Sequence, residues 1–185
     1  MKLNYYIFIF LGLLVIGCKS PEARKPITVS SGSFIDQSVA RNKALNQKEI
    51  EKIETIIASQ PDKEFKNSGN GFWYYYNTKI ENDSLQTPGF GDIINFNYNV
   101  KTLDSNVIYT KEEIKTQNYA MDQEEIFTGL REGLKLLKEG ETATFLFPSQ
   151  KAYGYYGDER KIGINTPIMC EVTVNQIIEN KDKSK

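Results

Sequence analysis

The chain contains no histidine. That absence removes Ser-His-Asp and Cys-His catalysis and any metal site built on imidazole. Cysteine is almost absent too, with only Cys18 and Cys170, so no disulfide framework organises the fold. Charge of one sign is not in excess: 23 basic and 24 acidic side chains leave a net charge of -1. No basic face points to nucleic acid. Long hydrophobic runs are scarce, and the one at the N-terminus, 5–16, falls short of the ~20 apolar residues that span a bilayer. There are no internal repeats.

The N-terminus reads as an address. Lys2 precedes the apolar run, and Gly17-Cys18 and a polar, proline-containing stretch follow it. This is the order of a secretory signal. Val15-Ile16-Gly17-Cys18 resembles the bacterial lipobox, which predicts removal of 1–17 and acylation of Cys18 as the lipid anchor. The expected location is the cell envelope, on a membrane and facing the periplasm. With Cys18 so used, Cys170 has no intrachain partner and is expected to be an inert core thiol.

Residues 18–33 are rich in Pro, Ser, Arg and Lys and read as a flexible tether. A helical segment over 34–68 follows. Its clearest part starts at Asn46, an N-cap whose box is completed by Glu49, with Ile50, Ile53 and Ile57 on one face and Pro61 as the stop. That stripe either packs on the neighbouring domain or forms a homodimer seam or spacer. The Asn/Ser/Gly cluster at 67–71 reads as a boundary, so that 69–180 form the main domain and 181–185 a charged tail.

Beyond the boundary the pattern is that of strands. They are expected over 72–80, over 92–102 with Ile94, Phe96, Tyr98 and Val100 on one face, and over 107–110 and 116–121. Asp122 and Glu125 read as the cap of a helix carrying Ile126, Leu130, Leu134 and Leu137, stopped by Gly140. Two strands close the domain, Thr142–Phe147 and Ile168–Ile178. Between them lies Lys151-Ala-Tyr-Gly-Tyr-Tyr-Gly157, where Gly154 and Gly157 permit positive φ or close approach and Tyr153 begins the loop. The fold class is α+β: a curved antiparallel sheet wrapped on one short helix, preceded by a helical segment.

Gly91-Asp92, Asn97-Tyr98, the helix around Gly129, Gly140-Glu141, Ala152-Tyr153-Gly154 and the last strand together resemble the FKBP-type peptidyl-prolyl cis-trans isomerases over roughly 71–178. The lipobox and helical N-segment resemble more closely the lipid-anchored, gliding-motility-associated branch. The resemblance implies that a proline ring enters a pocket under the helix lined by Tyr98, Ile126, Phe127, Leu130, Tyr153 and Ile164. Tyr153 matches the tyrosine that hydrogen-bonds the peptide carbonyl. Departures are clear. Ile108-Tyr109 stands where the family has Phe-Asp, which removes the pocket carboxylate; Leu130 replaces a tryptophan, Cys170 a phenylalanine, and Gln117 stands near another expected aromatic. A shallower, less aromatic site follows, and 158–161 read as a solvated loop tip.

The resemblance implies an isomerase that needs neither cofactor nor metal. Its clients would be unfolded or exported proline-containing proteins, gliding machinery among them. The alternative is a non-catalytic FKBP-like chaperone or structural subunit of an envelope complex. The sequence names neither the client nor the oligomeric state.

Overall fold

The computed structural model describes residues 31–82 and 84–180. The expected signal peptide, the lipid anchor at Cys18, the first part of the tether and the 181–185 tail lie outside the described residues. Two compact units divide between Gln37 and Ser38. The second holds the sheet, the core and the candidate site.

Helix α1 runs from Ser31 to Ala58. It is one continuous helix, so Asn46 is an interior residue and not an N-cap. Its start inside the expected tether, at Ser31 and not at 34, is a second difference. The reason for the first is long-range. Glu49, expected to close a local capping box, is buried and accepts hydrogen bonds from Ser149, 100 positions away. Ile53 is fully buried against Leu103 and Leu146, with Ile56, Ile57, Phe65, Trp73 and Met169 around them. The isoleucine stripe thus packs on the sheet.

Among the described residues there are eight strands in one antiparallel sheet: β1 (Lys66–Asn67), β2 (Trp73–Thr78), β3 (Ile93–Tyr98), β4 (Val100–Thr102), β5 (Val107–Tyr109), β6 (Gln117–Ala120), β7 (Thr142–Phe147) and β8 (Ile168–Ile178). The order is β1-β2-β7-β8-β3-β6, and β4 pairs with both β8 and β5. β8 is the spine, bonded to β7, β3 and β4. The 67–71 cluster, expected as a domain boundary, is instead the turn joining β1 to β2, whose register pairs Asn67 with Trp73.

The single strand expected over 92–102 is two, because β3 ends at Tyr98. There Asn99 turns its side-chain oxygen to the Glu171 amide at 3.1 Å. The inward alternation survives the break: Ile94, Phe96 and Val100 are buried. A four-residue helix, α2 (Lys111–Ile114), follows β5 and carries a full capping box from Thr110 and Glu113. Gln117 is drawn into closing it, donating to the Ile114 carbonyl at 2.7 Å.

Helix α3 spans Thr128–Leu134, later and shorter than expected. Asp122 does not cap it. Its φ is +59°, and its carboxylate pairs with Lys135 at 2.7 Å and Arg131 at 3.8 Å. The helix ends well before Gly140, although Leu137 beyond it is still buried. It crosses β7 closely, and a Cβ on Gly129 would lie 2.5 Å from the Phe147 ring and 2.7 Å from the Lys151 carbonyl. Phe72, Phe145 and Phe147 pack beneath it, with Phe145 and Phe147 stacked at 5.6 Å. No helix among the described residues is long and apolar enough to cross a membrane.

Candidate functional site

Tyr153 is placed by a chain reversal at the end of β7. Pro148 leads into a 3-10 turn over Ser149–Lys151. The Ser149 carbonyl then accepts from Ala152 N at 3.0 Å and Gly154 N at 2.8 Å, the two residues flanking Tyr153. Gly154 has φ +60°. Gly157 is required more strictly: at φ +70°, a Cβ would stand 2.2 Å from the Ile162 carbonyl oxygen. Asn165 N closes the loop on the Gly154 carbonyl at 2.8 Å.

The Tyr153 ring packs on Phe127 with centroids 5.1 Å apart, and Phe127 meets Phe147 edge-on at 5.5 Å. A row of aromatic rings therefore backs Tyr153 into the core. Such pairs add about 0.5–1.5 kcal/mol beyond area burial, which fixes the ring more firmly than a loop alone would.

In front of this wall opens a cleft of about 350 Å³. Tyr98 lines it from β3 and Val100 from β4, Tyr109 from β5, Glu113 and Ile114 from α2, and Tyr153, Asp158 and Arg160 from the loop. Hollows of about 360 and 420 Å³ lie elsewhere on the surface, beside Asp92 and Glu139 and beside Ile93 and Ile178. Size does not single out the Tyr153 cleft. Its three tyrosines do.

Burial pushes the Tyr98 hydroxyl up to about 12, with the neighbouring Cys170 thiol and Tyr109 adding to it and the Tyr153 hydroxyl partly offsetting it. Tyr153 is raised further, by burial first and then by Tyr98 and Cys170. Both hydroxyls stay neutral and able to donate. Cys170 is fully buried, and burial raises its thiol far above the ordinary value, so it is not a nucleophile.

The resemblance assigned nine residues to the site, and the structure separates them. Tyr98, Tyr109 and Tyr153 line the cleft. Ile108, Ile126 and Phe127 are half-buried and pack on the core beside it. Leu130 and Cys170 are wholly buried core residues. Ile164 does not line the cleft. It is 62% exposed, because the loop turns outward before Asn165, whose φ is +49°.

Sequence reasoning missed a carboxylate. Asp158, read as part of a solvated tip, accepts a hydrogen bond from the Tyr109 hydroxyl inside the cleft. It also accepts from Ile162 N at 2.7 Å and Arg160 N at 3.0 Å. Burial pushes Asp158 up, but the bonds from Tyr109 and these amides outweigh it and hold the carboxyl below its usual range. Tyr109 is raised by the same bond and then by desolvation. The acid absent from the β5 position is thus supplied by the loop, and a tyrosine at 109 completes the pair. Lys161 lies 4.8 Å over the Tyr109 ring and pairs with Glu113 at 2.5 Å, tying loop to α2. The signal that could have found this pair is the Tyr109 departure itself, since a phenol packed against the core by its ring turns its hydroxyl to an acceptor. Among the described residues no group of three His, Cys, Asp or Glu side chains could hold a metal ion.

Residues 85–175 match the model of the FKBP-type peptidyl-prolyl cis-trans isomerase family. A probable FKBP-type peptidyl-prolyl cis-trans isomerase FkpA of Neisseria meningitidis serogroup B is 28% identical over 142 residues, covering 76% of this chain. The chain spans about half, 51%, of that relative's length. FkpA from Escherichia coli has a similar structure, with TM-score 0.57 and 20% identity over 96% of this chain and 82% of its own. A peptidyl-prolyl cis-trans isomerase from Pseudomonas syringae pv. tomato also has TM-score 0.57, with 19% identity over 74% of this chain and 96% of its own. Over 85–175 the chain is similar to the FKBP-type family, and its α+β fold is shared with these solved structures.

Proposed function

We propose that this FKBP-like domain makes the chain a peptidyl-prolyl cis-trans isomerase that acts on proline-containing segments of unfolded or exported proteins. The observation that carries the reading is Tyr153, a neutral half-buried donor held against aromatic rings at the wall of the cleft. An X–Pro bond faces a barrier of ~18–20 kcal/mol because twisting destroys amide resonance. Uncatalysed, the step takes tens of seconds or more. The twisted amide is less polar than the planar one. A desolvating cleft therefore favours the transition state over the hydrated ground state, and one donor can hold the carbonyl oxygen. No nucleophile is needed, which suits a chain without histidine.

Tyr153→Phe tests the donor. A neutral hydrogen bond contributes about 0.5–1.5 kcal/mol, so the variant should lose roughly two- to tenfold in kcat/KM. A protease-coupled proline peptide assay reads it. Undiminished activity would remove Tyr153 from the mechanism.

The envelope address rests on the order Gly17-Cys18 after the apolar run. Lipidation at Cys18 would tether the domain by acyl chains at about 0.8 kcal/mol per buried CH₂. Cys18→Ser should move the protein from the membrane fraction to the soluble one. Unchanged partition would rule out the lipid anchor. The finer assignment to the gliding-motility-associated branch is supported by the same lipobox together with the helical segment that precedes the domain. Pairing of two chains along α1 is supported by the exposure of Phe34, Ile35 and Val39.

A further inference from the structure

We propose that the N-terminal helix is a positioning element of the Tyr153 site, acting through the Glu49 carboxylate on Ser149. This rests on the isomerase reading of Tyr153 but concerns a residue on a different element, 104 positions away in sequence order. Glu49 is 8% exposed. A carboxylate so buried is costly unless its oxygens are bonded. Both are: Oε2 accepts Ser149 N–H at 2.7 Å and Oε1 accepts the Ser149 hydroxyl at 2.8 Å.

Ser149 is itself buried, and it faces both ways. Its donors are held by Glu49, while its carbonyl holds Ala152 N and Gly154 N on either side of Tyr153. The Gly154 carbonyl passes the chain on to Asn165 N at 2.8 Å, where the loop returns towards β8. Hydrogen bonds in series polarise one another, and a charge at one end strengthens those next to it. The far side of the turn is gripped as well. Lys151 pairs with Glu132 of α3 at 3.2 Å, and the Lys151 carbonyl lies against Gly129. The turn carrying Tyr153 is therefore clamped between α1 and α3. A helix that merely covered the sheet would need Ile53 at its contact and no buried charge beside it.

The test is a double-mutant cycle in the full-length protein. Glu49→Ala should lower kcat/KM by about five- to tenfold, with kcat falling more than KM rises, because a loosened donor is misplaced in the transition state. In the Tyr153→Phe background Glu49→Ala should cost little more, since the group it positions is gone. Glu49→Gln, which can still accept from Ser149 N and meet the hydroxyl, should recover most of the loss. Additive losses would assign Glu49 a purely structural role and overturn the proposal.

Amide hydrogen exchange at Gly154 gives a readout independent of turnover, and it should quicken by about tenfold in Glu49→Ala. Should Glu49→Ala not fold, Ser149→Ala removes the hydroxyl alone and should produce a smaller change of the same kind. A wild-type protein without isomerase activity would end the isomerase reading. Gly154 exchange would still decide the clamp, and exchange unchanged in these variants would refute it.

Discussion

Phe127→Asp should abolish acceleration of proline-limited refolding, by at least about a hundredfold, while the protein stays folded. Phe127 backs Tyr153 at 5.1 Å and Phe147 at 5.5 Å, so its ring dries one wall of the site. A carboxylate there keeps its water, and stripping that water to seat a proline ring costs about 2–7 kcal/mol or more. A penalty near 2.7 kcal/mol already gives a hundredfold. The fold should tolerate the change for a local reason. Phe127 is the N-cap of α3 and makes no side-chain cap hydrogen bond. Aspartate is among the best N-caps, worth about 1 kcal/mol, which offsets part of the lost packing. Circular dichroism checks the fold and a refolding assay the activity. Equal activity in wild type and folded variant would place the proline seat elsewhere.

The second large effect is on stability. From the sequence, a fragment beginning at Gly71 is expected to fold alone. The contacts that α1 makes with the sheet predict the opposite. Removing α1 and β1 uncovers Leu103 and Leu146, leaves Ser149 without Glu49, and deletes Ile53 and Phe65 from their cluster. Deleting a buried isoleucine to alanine alone costs about 2–5 kcal/mol. A whole domain holds only about 5–15 kcal/mol. The fragment should therefore lose cooperativity in urea, or unfold at a much lower midpoint than the 38–185 unit. A midpoint equal to that of the longer chain would show α1 to be dispensable for the fold.

How far the sequence could be read depended on the range of the interactions. β7 and β8 were legible to the residue, because Thr142–Phe147 and Ile168–Ile178 are unbroken β-favouring runs between turns. The inward faces of Ile94, Phe96 and Val100 were legible from period-two alternation. Local signals misled where a distant partner outbid them. Asn46 and Glu49 have the spacing of a capping box, yet Glu49 bonds across 100 positions. Asp122 and Glu125 have it too, but Asp122 sits at positive φ and binds Arg131 of α3 and Lys135 at its C-cap. Thr110 and Glu113 do form a box, on a helix too short to show periodicity.

The site was half legible for the same reason. Tyr153 and its glycines announce a tight turn within a few residues of sequence. Tyr109 and Asp158, 49 positions apart, carry no local mark of their pairing, and the charged 158–161 stretch resembles any exposed tip. Ile164 shows the converse, an apolar residue near the strand start that the loop leaves facing water.

The most direct measurement is the refolding rate of a proline-limited protein with catalytic amounts of the full-length chain. The account predicts that the slow phase accelerates in proportion to the chain's concentration, that Tyr153→Phe reduces the slope by roughly two- to tenfold, and that Phe127→Asp flattens it. A slow phase untouched by wild-type protein, with unfolded client nonetheless bound, would contradict the isomerase account and leave an FKBP-shaped binding module in its place.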